Sequence, residues 1–210
     1  MFYLIGGTPR SGKTTIAKEL SEKLKIPWIS TDTLESVVME YIDDNKFDYC
    51  FPKNVLRRLT NNSNDEMYSK YSSEQIVDAY LKQGISLAQG IETFITSEAS
   101  YSHSYILEGH HIHPELVFRL EKNFNLKAIF VGREDAIHTL EAITKNPQEN
   151  DWVITKTKNT QTYPLIAKML ITFSTRIKTE AETNNYPYYC VDNNFKETVK
   201  NIVEGLCLYK

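Results

Sequence analysis

The sequence predicts an α/β fold, a doubly wound and mainly five-stranded parallel sheet flanked by helices, in a single domain over residues 1–210. Three observations predict it. Short apolar runs recur along the chain, segments with helical periodicity separate them, and a glycine-rich turn joins the first run to the first helix. Strands alternating with helices are the pattern of a doubly wound sheet.

The apolar runs are FYLIG from Phe2, PWIS from Pro27, SYILEG from Ser104, KAIFVG from Lys127 and YYCVD from Tyr188. They are mostly continuous rather than alternating, as strands covered on both faces require. Between them, Ile16, Ala17, Leu20 and Leu24 share one helical face, as do Leu34, Val37, Val38 and Tyr41. A long helix is expected from Glu74 towards Ala99, with Ile76, Tyr80, Leu87, Ile91, Phe94 and Ile95 inward. Ser72 and Gln75 have capping-box spacing at its start, while Gly84 and Gly90 interrupt it. Further helices are expected around Leu116, Val117 and Leu120, around Ile166, Met169, Leu170, Phe173 and Ile177, and around Val199, Ile202, Val203 and Leu206. Residues 43–72, polar and broken by Pro52, and residues 144–164 read as long irregular loops. Both follow strands, and in open α/β sheets ligands bind beyond the strands' carboxyl ends.

The composition, 41% hydrophobic and 24% charged with a formal net charge of −3, is that of a soluble globular protein. It carries no basic excess for long nucleic acid. The opening MFYLIGG lacks a basic flank and is not expected to be a signal peptide, and no apolar run reaches bilayer length. Three cysteines without a CxxC pair (Cys50, Cys190, Cys207) suit a reducing cytoplasm, with Cys190 expected in buried packing. Nothing in the sequence specifies an oligomeric state.

The sharpest local signal is Gly7 to Thr14, which satisfies G-x-x-x-x-G-K-[ST] between a strand and a helix. Glycines let the backbone close around an anion, and successive N–H groups with the helix N-terminus aim positive dipole at phosphate. Gly7, Thr8, Pro9, Arg10, Ser11, Gly12, Lys13, Thr14 and Thr15 are therefore assigned to a nucleotide. Lys13 is placed on its β- and γ-phosphates and the Thr14 hydroxyl on Mg²⁺. A chance match somewhere in such a chain is on the order of one in a hundred. No N-K-x-D guanine signature is present, so ATP is the expected nucleotide. The VDNNF turn, Val191 to Phe195, reads either as the adenine passage or as a plain strand-to-helix loop.

Asp32, at the carboxyl end of the second strand, has two readings. It can orient or deprotonate an acceptor hydroxyl or hold a Mg²⁺-bound water, or it can cap the next helix, since Asp32 and Glu35 have capping-box-like spacing. LEGHHIHPE, Leu107 to Glu115, gathers His110, His111 and His113 after the third strand. A metal site, a catalytic base and a histidine-rich turn all fit it locally.

YLIGGTPRSGKTTIAKELSEKLKIPWISTDTL together with YILEGHHIHPEL resembles the P-loop small-molecule kinases, and within them the branch containing 2-phosphoglycerate kinase, with further similarity to gluconate, shikimate and polynucleotide kinases. The phosphate loop, the STD after the second strand and the E-G-x-x-x-x-P after the third carry the resemblance, over roughly the first 45 residues and segment 104–117. It implies a P-loop NTPase fold with an acceptor-binding segment at about 43–72 and a mobile lid at about 133–163. The implied activity is ATP- and Mg²⁺-dependent phosphorylation of a small hydroxylated, anionic metabolite. Asp32 becomes the acceptor-side or Mg²⁺-side carboxylate, and Glu108 the group that orders a metal-bound water. Arg57 and Arg58, with Lys53, would clamp the acceptor. No arginine lies between Glu134 and Thr175. Arg133, Arg176, or Lys145, Lys156 and Lys158 would replace the lid arginines that usually stabilise the transferring group. In this frame zinc is the weakest reading of the histidines, because no outside cysteine or acidic cluster is matched to them. His110 and His111 become the acceptor-side wall, and His113 can cap the next helix. Two alternatives remain: a nucleoside or nucleic-acid-end kinase using Tyr68, Tyr71 and Trp152, and a nucleotide-binding regulatory protein or weak ATPase.

Overall fold

The computed structural model describes residues 1–145 and 151–208. In chain order the elements are β1 (Phe2–Gly7), α1 (Lys13–Leu24), β2 (Trp28–Ser30), α2 (Thr31–Tyr41), α3 (Asp44–Cys50), α4 (Pro52–Leu59), α5 (Asn64–Lys70) and α6 (Ser73–Ser100). They continue as β3 (Tyr105–Glu108), α7 (Pro114–Leu120), β4 (Leu126–Gly132), α8 (Ala136–Lys145), α9 (Trp152–Thr155), α10 (Thr162–Thr183), β5 (Tyr188–Cys190) and α11 (Phe195–Cys207). The five strands form one parallel sheet in the order β2-β3-β1-β4-β5, with Leu4 of β1 opposite Leu107 and Ala128.

All the expected strands form, and β1 shows why their apolar runs are continuous. Leu4 packs into one core with α6, α7 and α10, while Tyr3 and Ile5 pack into a second core with α1 and α11. The chain leaves β1 towards β2 at one edge and leaves neighbouring β4 towards β5 at the other. That reversal opens a crevice beyond the carboxyl ends of the strands.

Three expectations need correction. Residues 43–72 are not irregular but contain α3, α4 and α5. Two of them are locally specified: Pro52 opens α4 at a position with no N–H to lose, and Ser63 caps α5 by accepting from the Glu66 N–H. Asn61 and Asn62 turn the chain between them with φ of 49° and 56°. The asparagine content thus marked turns and starts between helices too short for periodicity to show. In α2, Val37 and Tyr41 are 54% and 87% exposed, and Glu35 is buried instead. Cys190 is exposed at the end of β5 and its thiol meets the Asp192 carboxylate at 3.2 Å, because this short edge strand has a neighbour on one side only. In the 144–164 stretch the described part contains α9 and the start of α10, while residues 146–150 lie outside the described residues.

The long helix α6 forms with the full capping box, Ser72 and Gln75 bonding reciprocally. Its glycines differ in kind. A Cβ on Gly84 would lie 2.0 Å from Nε2 of buried His113, whereas one on Gly90 would meet nothing closer than 3.6 Å. Gly84→Ala should therefore destabilise the fold by about 1–3 kcal/mol through overpacking. Gly90→Ala should be neutral or stabilising by up to about 1 kcal/mol from helix propensity. Paired urea denaturation checks both, and equal effects at the two sites would contradict the packing argument.

Candidate active site

The loop between β1 and α1 closes on Gly12, the N-cap of α1, at φ 86°. A Cβ there would combine that left-handed backbone with a contact of 2.5 Å to the Phe195 ring. Lys13 follows, 7% exposed, and its ammonium donates to the Thr8 carbonyl of its own loop. Among the described residues no carboxylate lies within ion-pair distance of it. Burial lowers its pKa, opposed by the fields of Glu108 and Asp32. Glu108 ends β3, buried, and accepts from the Thr14 hydroxyl at 3.1 Å. Burial raises its pKa and Lys13 pulls it back.

This loop is the wall between two cavities. The smaller, about 700 Å³, is lined by Lys13, Thr14 and Thr15 with Arg10, Arg133 and Asp192. Arg133 donates to the Arg10 carbonyl at 3.0 Å and to Asp192 at 3.1 Å. Asp192 also accepts from the Glu134 and Asp135 N–H groups, tying the VDNNF turn to the end of β4. Arg10 pairs with buried Asp151 at 2.9 Å and donates to the Ala142 carbonyl, so the loop is bonded to the segment beyond α8.

The larger cavity, about 890 Å³, is lined by Pro9 of the same loop and by Asp32, Lys53, Arg57, His110 and Trp152, among others. Ser30, not Asp32, caps α2, its hydroxyl accepting from the Asp32 N–H at 3.2 Å. That overturns the capping reading and leaves the Asp32 carboxylate 67% exposed, 3.4 Å from His110 Nδ1. His110 is buried and its ring lies tilted against that of His111, with 3.8 Å between ring centroids. His111 is wholly buried, with Nδ1 2.8 Å from the Thr31 hydroxyl and Nε2 2.8 Å from the Glu35 carboxylate. Burial alone would raise the Glu35 pKa, but contact with His111 and the Lys53 ammonium holds it down at about 2. Lys53 reaches both Glu35 oxygens at 2.9 and 3.1 Å, and Gln83 donates to one of them at 2.7 Å.

The segments expected to bind acceptor and to form a lid are bonded to each other. Buried Asn64 accepts from Arg57 and donates to the Trp152 carbonyl and the Thr157 hydroxyl. Asp65 accepts from the Lys158 and Asn159 N–H groups and the Thr162 hydroxyl. The Arg57 guanidinium lies 4.9 Å over the Trp152 ring.

Most of the residues singled out in the sequence are thus brought together, and several are not. Arg176 pairs with Glu74 and Asp78 and lines neither cavity, because α10 presents it to the exposed first turns of α6. Lys53 spends its charge on Glu35, and Arg58 borders the cavity but is paired with Asp48. His111 is too deep to form the wall itself and lies behind His110. His113 occupies the N-cap position of α7 without a side-chain cap bond. Tyr68 is core, so it offers no face for base stacking. Lys145 lines the smaller cavity and Lys156 the larger, while Lys158 lines neither. An acidic pair, Asp32 and Glu35, does stand against the histidines, contrary to the expectation. Asp192 was read only as part of the VDNNF turn, and Asp151 was not singled out. The sequence signal for Asp192 was its place directly after the last strand, and Asp151 had none.

The parallel sheet with its loop between β1 and α1 defines a P-loop NTPase α/β fold. The chain belongs to the AAA domain family, which matches residues 4–139. No curated protein sequence matches it. Similar solved structures include an uncharacterized protein from Eubacterium ventriosum, at 18% identity and TM-score 0.46, covering 100% of this chain and 97% of that one. Shikimate kinase from Bacteroides thetaiotaomicron gives 12% and 0.49, covering 99% of each chain. Shikimate kinase from Aquifex aeolicus gives 14% and 0.46, covering 98% and 96%.

The buried histidines make stability acid-sensitive. Burial, with His111 adding, depresses His113 from 6.5 to about 3. Between those values the unfolded chain takes up a proton that the folded chain refuses, so stability is intact above pH 6.5 and falls as pH drops through the window. The contribution is about 1.4 kcal/mol per pH unit. His113→Leu should flatten the dependence of unfolding free energy on pH by about that slope, measured by urea denaturation from pH 7 to 4. An unchanged slope would contradict the assignment.

Proposed function

We propose that this protein transfers the γ-phosphoryl group of ATP, with Mg²⁺, to a hydroxyl of a small anionic metabolite. One observation carries the reading: the phosphate loop is shared between two cavities, one holding Lys13 and Thr14, the other opening on the exposed Asp32 carboxylate. The residues fit the nucleotide. Lys13 is a buried ammonium whose bonding partner is a carbonyl of its own loop, a donor that phosphate oxygens would satisfy. Thr14 and Glu108 supply the oxygen donors and outer carboxylate a Mg²⁺ needs. Mg²⁺, when bound, neutralises charge on the phosphates.

Lys13 and the loop amides hold the phosphates. Asp32 accepts the proton of the acceptor hydroxyl, with His110 beside it. Arg10 and Arg133 border the nucleotide side but are paired with Asp151 and Asp192, so Lys13 carries the positive charge that lid arginines would otherwise bring. On the acceptor side Arg57, held over the Trp152 ring with a neutral asparagine as its hydrogen-bond partner, offers a guanidinium to a carboxylate or phosphate. A phosphorylated hydroxy acid of the 2-phosphoglycerate type suits that charge. The three free cysteines suit the reducing cytoplasm, and no helix among the described residues is long and apolar enough to cross a membrane.

Incubation with Mg²⁺-ATP and a panel of hydroxy acids, sugar acids and nucleosides, with ADP and phosphorylated product measured separately, tests the reading. Product from an anionic hydroxylated acceptor, in step with ADP, is expected. Asp32→Asn should lower turnover by about 10²–10⁴-fold while leaving ATP affinity intact, and Arg57→Ala should raise the acceptor KM more than it lowers kcat. ADP without product would reduce the protein to an ATPase and contradict the proposal.

A further inference from the structure

The proposed phosphoryl transfer uses one carboxylate at the larger cavity, yet more ligand-capable groups stand at and behind its wall. Asp32 and Glu35 of α2 and His110 and His111 of the loop after β3 each bring a ligand-capable atom within 4.8 Å of the others. Asp32 Oδ1 lies 3.4 Å from His110 Nδ1 and 3.7 Å from His111 Nδ1. Two ligands bound at about 2.0–2.2 Å to one tetrahedral ion stand roughly 3.3–3.6 Å apart, so these separations are close to those of a coordination shell.

The surroundings of His111 point the same way. Its Nε2 lies 2.8 Å from Glu35, within ion-pair distance though not in hydrogen-bond geometry, and Glu35 is itself fixed by Lys53 and Gln83. A metal-binding imidazole characteristically gives its other N–H to a carboxylate, which sets the tautomer and turns the remaining lone pair to the ion. Nδ1 of His111 lies 3.7 Å from Asp32 and 2.8 Å from the Thr31 hydroxyl, a contact that coordination would replace. Lys53 is neutralised by Glu35, so Asp32 supplies the negative charge facing the ion. His110, nine-tenths buried, has no hydrogen-bond partner on Nε2, and its Nδ1 points to the exposed Asp32 carboxylate. Packing alone would not need two imidazoles in contact, each with its Nδ1 turned to the same carboxylate oxygen.

We infer that Asp32, His110 and His111 form a binding site for a first-row divalent transition cation, with Glu35 as the outer partner of His111 and the remaining coordination positions open to the larger cavity. Imidazole and carboxylate together favour Zn²⁺, Mn²⁺ or Co²⁺ over Mg²⁺, which prefers oxygen ligands and keeps its waters. The open positions would take an oxygen of an anionic molecule in the cavity. Thr14 is not among the ligands, so the site is distinct from that of the nucleotide's metal.

The test needs no turnover and so stands apart from the kinase reading. The full chain, stripped with a chelator, is titrated with Zn²⁺, Co²⁺ and Mg²⁺ by calorimetry, and Co²⁺ binding is followed by its visible absorption. One Zn²⁺ or Co²⁺ per chain is expected, more than about tenfold tighter than Mg²⁺. Lys13→Ala should bind as tightly as the parent. Asp32→Asn, at an exposed side chain that does not put folding at risk, and His110→Gln should each weaken Zn²⁺ by at least about tenfold, since even outer partners of a metal cost that much. Thermal melting confirms that each variant folds. Binding no tighter than that of Mg²⁺, or binding untouched by Asp32→Asn, would overturn the assignment.

Discussion

A single buried carboxylate, that of Glu35, fixes the geometry of the larger cavity. It comes from α2 and meets Lys53 at the start of α4, Gln83 in the middle of α6 and His111 from the loop after β3. Burial opposes its charge, yet those partners keep it ionised well below the ordinary carboxylate range. A buried ion that is fully paired gives modest net stability, whereas an unpaired one is costly, so each element is constrained to deliver its partner. The position of His110 follows, because its ring rests on His111 and its edge contact is with Tyr80 of α6. Asp32, one helical turn from Glu35, is then left exposed beside it.

The phosphate side obeys a related rule with the opposite sign. Lys13 is a buried cation given a carbonyl and no ion-pair partner among the described residues, whereas Arg133 and Arg10 are matched to Asp192 and Asp151. The paired arginines build the cavity, and the ammonium left without a counter-ion is the one placed to receive an anion. Because Pro9 lines one cavity and Arg10 the other, the same tight loop separates the two sites. The Asn64 and Asp65 bonds hold the segment around Trp152 over the acceptor side.

The parts legible in the sequence were those specified by neighbours along the chain. Continuous apolar runs located every strand, the Ser72–Gln75 spacing located the start of α6, and the phosphate loop carried its function in consecutive residues. Residues whose roles depend on distant partners were not legible. Glu35 read only as the partner of Asp32 in a capping-box-like spacing, because Lys53, Gln83 and His111 are remote in sequence, and the burial of Glu35 displaced the apolar face expected of α2. Gly84 read as an interruption of a helix until His113 was placed against it. Arg176 illustrates the converse: proximity to the lid in sequence suggested a role, but α10 turns it to Glu74.

The dependence of the acceptor wall on the Glu35 network is open to a direct measurement, a double-mutant cycle of Glu35→Gln and Lys53→Met read by urea denaturation. Each single change strands a buried partner and should cost about 3–5 kcal/mol. The double variant should cost well below the sum, with a coupling of about 2 kcal/mol or more. Additive losses would contradict the account, because they would mean that the two charges do not depend on each other and that the cavity is held by packing alone.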